Sequence, residues 1–481
     1  MIPARIGDRL RAMQPDILIA LAYLVLPLLL YAGVTLGPRT MLPADNLFQW
    51  PPWAASLPPG GTEGGSAFFP HNALIGDLII QNYAWKQFVL SSAAGGELPL
   101  WNPYLFAGAP FLANGQHSAL YPFSLLYLVL PLAKAYGWFV LSQVWLAGLS
   151  MYLFGRVLGM GRGGAALSGF VYQGAQFLII SAAVFPMITA AVVWLPFLLA
   201  CVERIVRPAS REGMREGSSN RTILWAAAGS VALGCQILAG HAEFTYYTLL
   251  IMGLYASWRL LTAGWGAQTA DRRPPTTDHR PQTTDREMSV DIHQPSSVVR
   301  RRWSVVHSAA WLAAMVGAGL LIAAVQLVPL FEVGQVNFRV GSASFEEVRG
   351  WAFPPRNALT FLLPNFFGNP THHAIRDAFG GGSVPVELNF YGGLNPNGAF
   401  TTSWGTKNYV EGATYLGVLP LLLAAVGVAA LWRWRVLSAL RRTHTLFFVG
   451  LAFFSLAFIF GTPLYALLYY GLPFIDQLHT P

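Results

Sequence analysis

Charge is scarce in this chain: Asp, Glu, Lys and Arg make up 11% of its 481 residues, against roughly 25% in soluble proteins. With 54% hydrophobic residues and a mean hydropathy of +0.46, that shortage excludes an ordinary soluble enzyme. Cysteine is scarcer still. Cys201 and Cys235 lie in apolar surroundings without metal or redox spacing, so no disulfide framework exists and both read as small core residues. There is no P-loop, dinucleotide-binding glycine fingerprint, zinc motif or nucleophile elbow. Their absence argues against an ATP-driven pump or a soluble-type hydrolase grafted onto a membrane. The net charge of +8 does not indicate nucleic acid, because the arginines gather beside apolar segments rather than on one aromatic-laced surface.

What the chain does have is long apolar runs, each near the roughly 20 residues that cross a bilayer. The first, Ile17 to Leu36, follows Arg5, Arg9 and Arg11 and lacks a small-residue cleavage site, so it reads as an uncleaved span. Further spans are expected near 136–158, 165–182, 186–206, 222–240, 243–262, 304–330, 411–432 and 446–468. The expected fold is therefore an all-α polytopic membrane protein of about nine transmembrane helices. Tyr121 to Pro131 is apolar but too short to cross and reads as an interfacial or re-entrant piece. Gly229, Gly234 and Gly240 read as close helix packing.

With the N-terminus in the cytoplasm, the inner segments 1–16, 156–164, 203–221, 258–302 and 433–442 hold 22 of the 30 Lys and Arg residues. That distribution obeys the positive-inside rule and predicts a cytoplasmic-membrane protein with two large outer loops. The chain divides into a cytoplasmic N-terminus and first span (1–36), a first outer loop with interfacial helices (37–120), spans (121–262), a linker (263–302), a span (303–332), a second outer loop (333–410) and final spans (411–481). In the linker, Arg-Arg-Pro-Pro-Thr-Thr-Asp at 272–278 is echoed by His-Arg-Pro-Gln-Thr-Thr-Asp at 279–285. Such polar, Pro-rich sequence cannot bury apolar surface and predicts a disordered cytoplasmic segment.

The first outer loop carries one pattern twice: Asp45, Gln49 and Trp53 recur at the same spacing as Asp77, Gln81 and Trp85. On a helix, four-residue steps set carboxylate, amide and indole on one face, suited to hydrogen-bonding a hydroxylated substrate and stacking on its ring. Pro51 and Pro52 make the first copy partly non-helical, whereas Gly76 to Leu90 reads as an interfacial helix with Tyr83 and Trp85 at headgroup level. The competing reading makes each Asp a helix cap and each Trp a membrane anchor. Downstream, Trp101, Asn102, Gln116 and His117 sit among turn formers that fix a rigid loop, and read either as lining for a sugar-sized pocket or as turn punctuation.

Gly76-Asp77-Leu78-Ile79-Ile80-Gln81, Leu98-Pro99-Leu100-Trp101-Asn102-Pro103, Phe106-x-Gly108-x-Pro110 and Tyr121-Pro122 together resemble the YfhO-like bacterial membrane proteins, placed with the GT-C glycosyltransferases. The likeness continues in Leu363-Pro364-Asn365-Phe366-Phe367-Gly368 and from Tyr409 to Leu422, through Glu411, Tyr415, Gly417 and Pro420. The resemblance implies a GT-C-like enzyme that takes a sugar from a polyprenyl-phosphate donor, with an acidic residue of the first outer loop near the reacting centre. It matches that acidic position to Asp77, with Asp45 as competitor. The ending Leu472 to Pro481 resembles the approach to a stretch that longer members carry, so the chain is expected to be a piece of a longer protein.

Sugar transfer from a lipid phosphate needs a base for the acceptor hydroxyl and cationic or metal help for the departing phosphate. Asp77 or Asp45 can serve as the base. Arg339, Arg349, Arg356, Arg376, His372 and His373 of the second loop are candidate phosphate partners. His372-His373-x3-Asp377, with Asp45 or Asp77, is the one combination that suggests a divalent metal, although adjacent histidines point different ways and a solvated loop is the plainer reading. His241 and Glu243 mark the outer end of a tight helical hairpin, for the cavity or for snorkelling. Glu332 and Glu411, flanking the second loop, are candidates for orienting its arginines or mere span ends.

The leading expectation is an inverting glycosyltransferase in the lipid bilayer, modifying a cell-envelope glycan or protein on the outer face. A transporter or flippase for a lipid-linked sugar is the second, and would place ionisable residues at the membrane midplane. A non-catalytic envelope assembly protein is the third.

Overall fold

The computed structural model describes residues 2–56, 72, 75–206, 217–262, 297–336, 343–367, 369, 374–376, 383–385, 409–431 and 439–477. These form α1 (Ile2–Ala22), α2 (Val25–Thr35), α3 (Tyr83–Ala94), α4 (Leu125–Val129), α5 (Leu132–Val157), α6 (Arg162–Gln173), α7 (Gln176–Val184), α8 (Pro186–Val192), α9 (Leu195–Val206), α10 (Gly217–Leu238) and α11 (Ala242–Thr262). They continue with α12 (Ser297–Ile322), α13 (Ala324–Gly334), α14 (Phe345–Gly350), α15 (Val418–Ala430), α16 (Ala439–Ile459) and α17 (Tyr465–Gly471). Two short antiparallel hairpins complete them, with Trp101 opposite Pro110 and Ala374 opposite Pro385. The protein is an all-α membrane protein.

Among the described residues six helices or coaxial helix pairs are long and apolar enough to cross a membrane, or seven if α6 and α7, bent by 43° at their break, are one span. The nine expected from the sequence also include 243–262 and 411–432. α11 has 21 residues, but Thr245, Thr248, Tyr255 and Arg259 on its buried side make it less apolar. A helix whose polar groups face protein rather than lipid need not be apolar all round. α15 has only 13 residues, because the chain from Tyr409 to Gly417 is not helical. The expected 304–330 span is broken at Ala323, and most of the predicted linker (263–296) lies outside the described residues, with α12 already under way at Ser297.

Contacts sort the helix ends into two faces. On one, Asp16 of α1 meets Arg162 at 2.9 Å, and Tyr152 donates a hydrogen bond to it. On that same face Phe154 lies 6.1 Å from Tyr255, and Glu203, Arg259 and His444 converge. On the other, Thr40 Oγ1 donates to Ala133 O at 2.7 Å, Lys134 Nζ to Arg39 O at 2.6 Å and Ser118 Oγ to Ala239 O at 2.6 Å. Alternate ends meeting in this way fits a chain that threads back and forth, and we call the second the loop face. Close approaches depend on small residues. Gly148 and Gly169 lie against the buried Tyr23, whose hydroxyl donates to Ala166 O. Gly229 and Gly234 let α10 approach Met315 and Ile322 of α12, as their sequence placement suggested.

Candidate functional site

The described part of the first loop, within 37–120, is a folded cap seated on the helix ends of the loop face. Leu78, Tyr121, Tyr127, Tyr136 and Phe139 are all buried and pack as one group with Ala190, Ala191 and Ala239. The cap's last stretch is fastened to α13 and to the α10–α11 turn. Gln326 of α13 donates to Leu112 O, and Gly115 lies so close to Gly240 that a methyl on Gly240 would come within 2.0 Å of Gly115 O. Gly240 takes φ of +92°, so it serves the α10–α11 turn as well as close packing.

Inside this cap lies Lys86, a residue that the sequence reading passed over. It is 4% exposed, donates to His117 O at 2.6 Å, and its ammonium lies 4.3 Å from the Tyr127 ring centroid. No carboxylate among the described residues pairs with it, and burial pulls the amine down to about 7. His117 is fully buried and stacked on Phe111. Its Nδ1 accepts from the Ala119 N–H at 3.0 Å, which leaves Nε2–H to donate to Phe111 O at 3.0 Å. Burial and the neighbouring Lys86 lower the imidazole to about 4, so it is neutral with both nitrogens spent. The structure makes His117 a brace of the loop rather than a pocket wall.

The two Asp-x3-Gln copies are brought together. Asp45 lies in the first turn of a 3-10 segment, Ala44–Gln49, and Asp77 stands at the start of a π-turn, Leu78–Asn82. Asn46 Oδ1 faces Gly76 and Asn46 Nδ2 donates to Asn72 O at 3.1 Å. The residues next to the two aspartates are thus in contact. Asp77 and Gln81 are exposed on one side, while Trp85 is 8% exposed in the core. The expected shared face fails because the π-turn breaks the constant four-residue step. π-turns occur frequently at functional sites. Asp77 makes no cap hydrogen bond and no ion pair with the described residues. The crowding of the surrounding chain raises its carboxyl above the ordinary value. Gln49 is spent locally, donating to Asn46 at 3.3 Å.

Other predicted residues scatter. Trp101 is 55% exposed and lies across Gly108, where φ of +117° and a ring 2.5 Å from any added methyl both demand glycine. Asn102 is buried and its Oδ1 accepts from the Tyr104 N–H, a turn role. The side chain of Gln116 is half-buried without a hydrogen bond to the described residues. His241 packs edge-on to Phe244, and burial lowers it to about 4; Glu243 accepts from Tyr247 at 3.2 Å. Arg349 donates to Gly461 O at 3.2 Å and meets Glu346 at 3.3 Å, which ties α14 to the end of α16 rather than to Asp77. Arg356 lies over the Phe367 ring at 5.7 Å. Glu332 is exposed and orients no arginine among the described residues. Arg339, His372 and His373 lie outside the described residues. Among the described residues no three His, Cys, Asp or Glu side chains gather as a metal site.

A buried ionic network occupies the opposite face. Glu203 of α9 accepts from Arg259 of α11 at 2.6 and 3.1 Å, from Tyr255 at 2.9 Å, and lies 3.3 Å from His444 Nε2 of α16. Glu203 is 0%, Arg259 2% and His444 6% exposed. Partners 56 and 241 positions apart leave no spacing signal. The only trace in the sequence was ionisable residues near the ends of apolar runs. No family model, curated protein or solved structure matches the chain.

Proposed function

We propose that the protein is a GT-C-like, YfhO-like glycosyltransferase of nine spans in the bacterial cytoplasmic membrane, with the loop face outside. In this reading it transfers a sugar from a polyprenyl phosphate to a cell-envelope glycan or protein. The observation that carries the reading is Asp77: an exposed carboxylate with its pKa raised, uncapped, on a π-turn beside the second Asp-bearing copy. A carboxylate raised toward neutrality is a stronger base, as acceptor activation requires. The acceptor oxygen attacks the anomeric carbon, its proton passes to the Asp77 carboxylate, and the bond from that carbon to the phosphate oxygen breaks to release polyprenyl phosphate. Attack opposite the leaving group inverts the centre. Beside the cap, Pro122, Phe123, Leu125, Leu126, Val129 and Ser142 line an open cleft of about 460 Å³, apolar enough for an isoprenoid tail. Arg356 is the described guanidinium of the second loop that remains as a phosphate partner.

The test is transfer of radiolabelled sugar from a panel of polyprenyl-phosphate donors in membranes carrying wild type, Asp77→Asn or Asp45→Asn at matched expression. Loss confined to Asp77→Asn supports the assignment; loss confined to Asp45→Asn moves the base to the first copy. Equal transfer by all three removes both.

A second reading, a lipid-linked sugar transporter, draws on the Glu203, Arg259 and His444 network and on the break between α6 and α7. Buried ionisable groups and discontinuous helices are what transporters use. The network sits near the ends of its helices rather than at mid-span, which favours the enzyme.

A further inference from the structure

We propose that Gln176, Asn365, Asn369 and Tyr409 form a subsite for the neutral, polyhydroxylated part of the ligand, the sugar itself. The ligand class rests on the transferase reading, but the site stands on its own geometry. Three separated segments supply it: the start of α7, the turns following the 3-10 segment Pro355–Phe361, and Tyr409 before α15. The Tyr409 hydroxyl is the hub. It donates to Asn365 Oδ1 at 2.9 Å and accepts from Gln176 Nε2 and Asn369 Nδ2, both at 3.3 Å. Gln176 Oε1 accepts from the Tyr415 N–H at 3.0 Å, and the Gln176 N–H returns a bond to Tyr415 O at 3.0 Å. That pairing fixes the amide plane. The cluster therefore sits at the 43° bend between α6 and α7, at the first residue of α7.

Two features distinguish this cluster from a brace. A brace is buried and saturated, whereas Asn365 is exposed and its amide nitrogen engages no described residue. Gln176 Nε2 also has a second hydrogen beyond the one given to Tyr409. Donors and acceptors held in place by a phenol suit hydroxyl groups, which both give and accept hydrogen bonds. Burial raises the Tyr409 phenol further, so it stays neutral. Phe367, lying in the chain between Asn365 and Asn369, carries Arg356 over its ring at 5.7 Å. A guanidinium thus rests on the turn that carries Asn365 and Asn369, and is assigned to the phosphate joined to the sugar.

The test uses the whole protein in nanodiscs. Saturation-transfer NMR measures binding of glucose, galactose, mannose and N-acetylglucosamine to wild type, Asn365→Ala and Tyr409→Phe, and thermal unfolding checks the fold. Asn365→Ala, an exposed substitution, should unfold like wild type yet bind its sugar about tenfold more weakly, with a matching rise in donor KM and little change in kcat. Unchanged binding and KM in both variants, or wild type that binds none of the four sugars, overturns the subsite; unchanged binding with lowered stability in Tyr409→Phe makes the cluster a brace. Wild type that transfers sugar while Asn365→Ala keeps its KM spares the transferase reading and removes the subsite. Binding lost in Asn365→Ala, with transfer absent from every membrane, does the reverse.

Discussion

Replacing Arg259 by methionine should be among the most damaging single changes the transmembrane region can suffer. Glu203 is 0% exposed, and Arg259 supplies two of its close contacts, at 2.6 and 3.1 Å. Arg259→Met keeps most of the side-chain volume and removes the guanidinium. The carboxylate keeps Tyr255 at 2.9 Å and His444 at 3.3 Å. Breaking one side of a buried ion pair costs about 3–5 kcal/mol, because the remaining charge is stranded away from water. Tyr255→Phe deletes one hydrogen bond to a charged group and leaves the ion pair, for about 1.5–3 kcal/mol. Removing both charges in Glu203→Gln/Arg259→Met strands no charge and keeps an amide oxygen to accept from Tyr255, and removing a whole buried pair costs far less than breaking it. The double variant should therefore recover most of the loss of Arg259→Met. Unfolding of the purified protein in mixed micelles, followed by tryptophan fluorescence, measures all three. A cost below about 1 kcal/mol for Arg259→Met, or a double variant as unstable as the single, would refute the reasoning.

Lys86 carries a pH signature. Its amine is held near 7 in the folded protein against 10.5 ordinarily. Between those values the unfolded chain binds a proton that the folded one does not, so stability should climb as pH rises through this window. From pH 7.5 to 9.5 the climb is roughly 3 kcal/mol at the limiting slope; Lys86→Met should lack it, and an identical climb in the variant removes Lys86 as its source. Gly240→Ala should cost at least about 2 kcal/mol, from a left-handed backbone and a methyl 2.0 Å from Gly115 O. Faster limited proteolysis within the first loop is the readout, and wild-type resistance contradicts the fastening described.

Helix existence was legible in the sequence because apolar runs of bilayer length leave few alternatives, and α5, α10 and α12 lie close to where those runs fall. Turn chemistry was legible as well: the Gly240-His241 hairpin and the short Tyr121–Pro131 piece both stand where local residues place them. What escaped was whatever depends on a distant partner or on an interrupted period. The π-turn at Leu78–Asn82 turned Trp85 into the core and separated it from Asp77 and Gln81. Lys86 carries no local signal of its burial, which comes from the loop folded over it. His117 read either as pocket lining or as turn punctuation, and the second holds, since its ring nitrogens are consumed within two and six residues of itself. α11 reads as weakly apolar because Tyr255 and Arg259 serve Glu203. Asn365 and Tyr409 sat in recognised segments, but nothing in either pointed to Gln176.

The central claim is that a bond is made to the sugar rather than that a lipid-linked sugar is moved. Sealed vesicles of both orientations, containing the wild-type protein and a radiolabelled polyprenyl-phosphate sugar, separate the two most directly. The transferase account expects label to leave the lipid fraction and appear on envelope acceptor, only where the loop face meets that acceptor, with the anomeric configuration inverted. Label that crosses the bilayer still attached to polyprenyl phosphate, with none on acceptor, contradicts it.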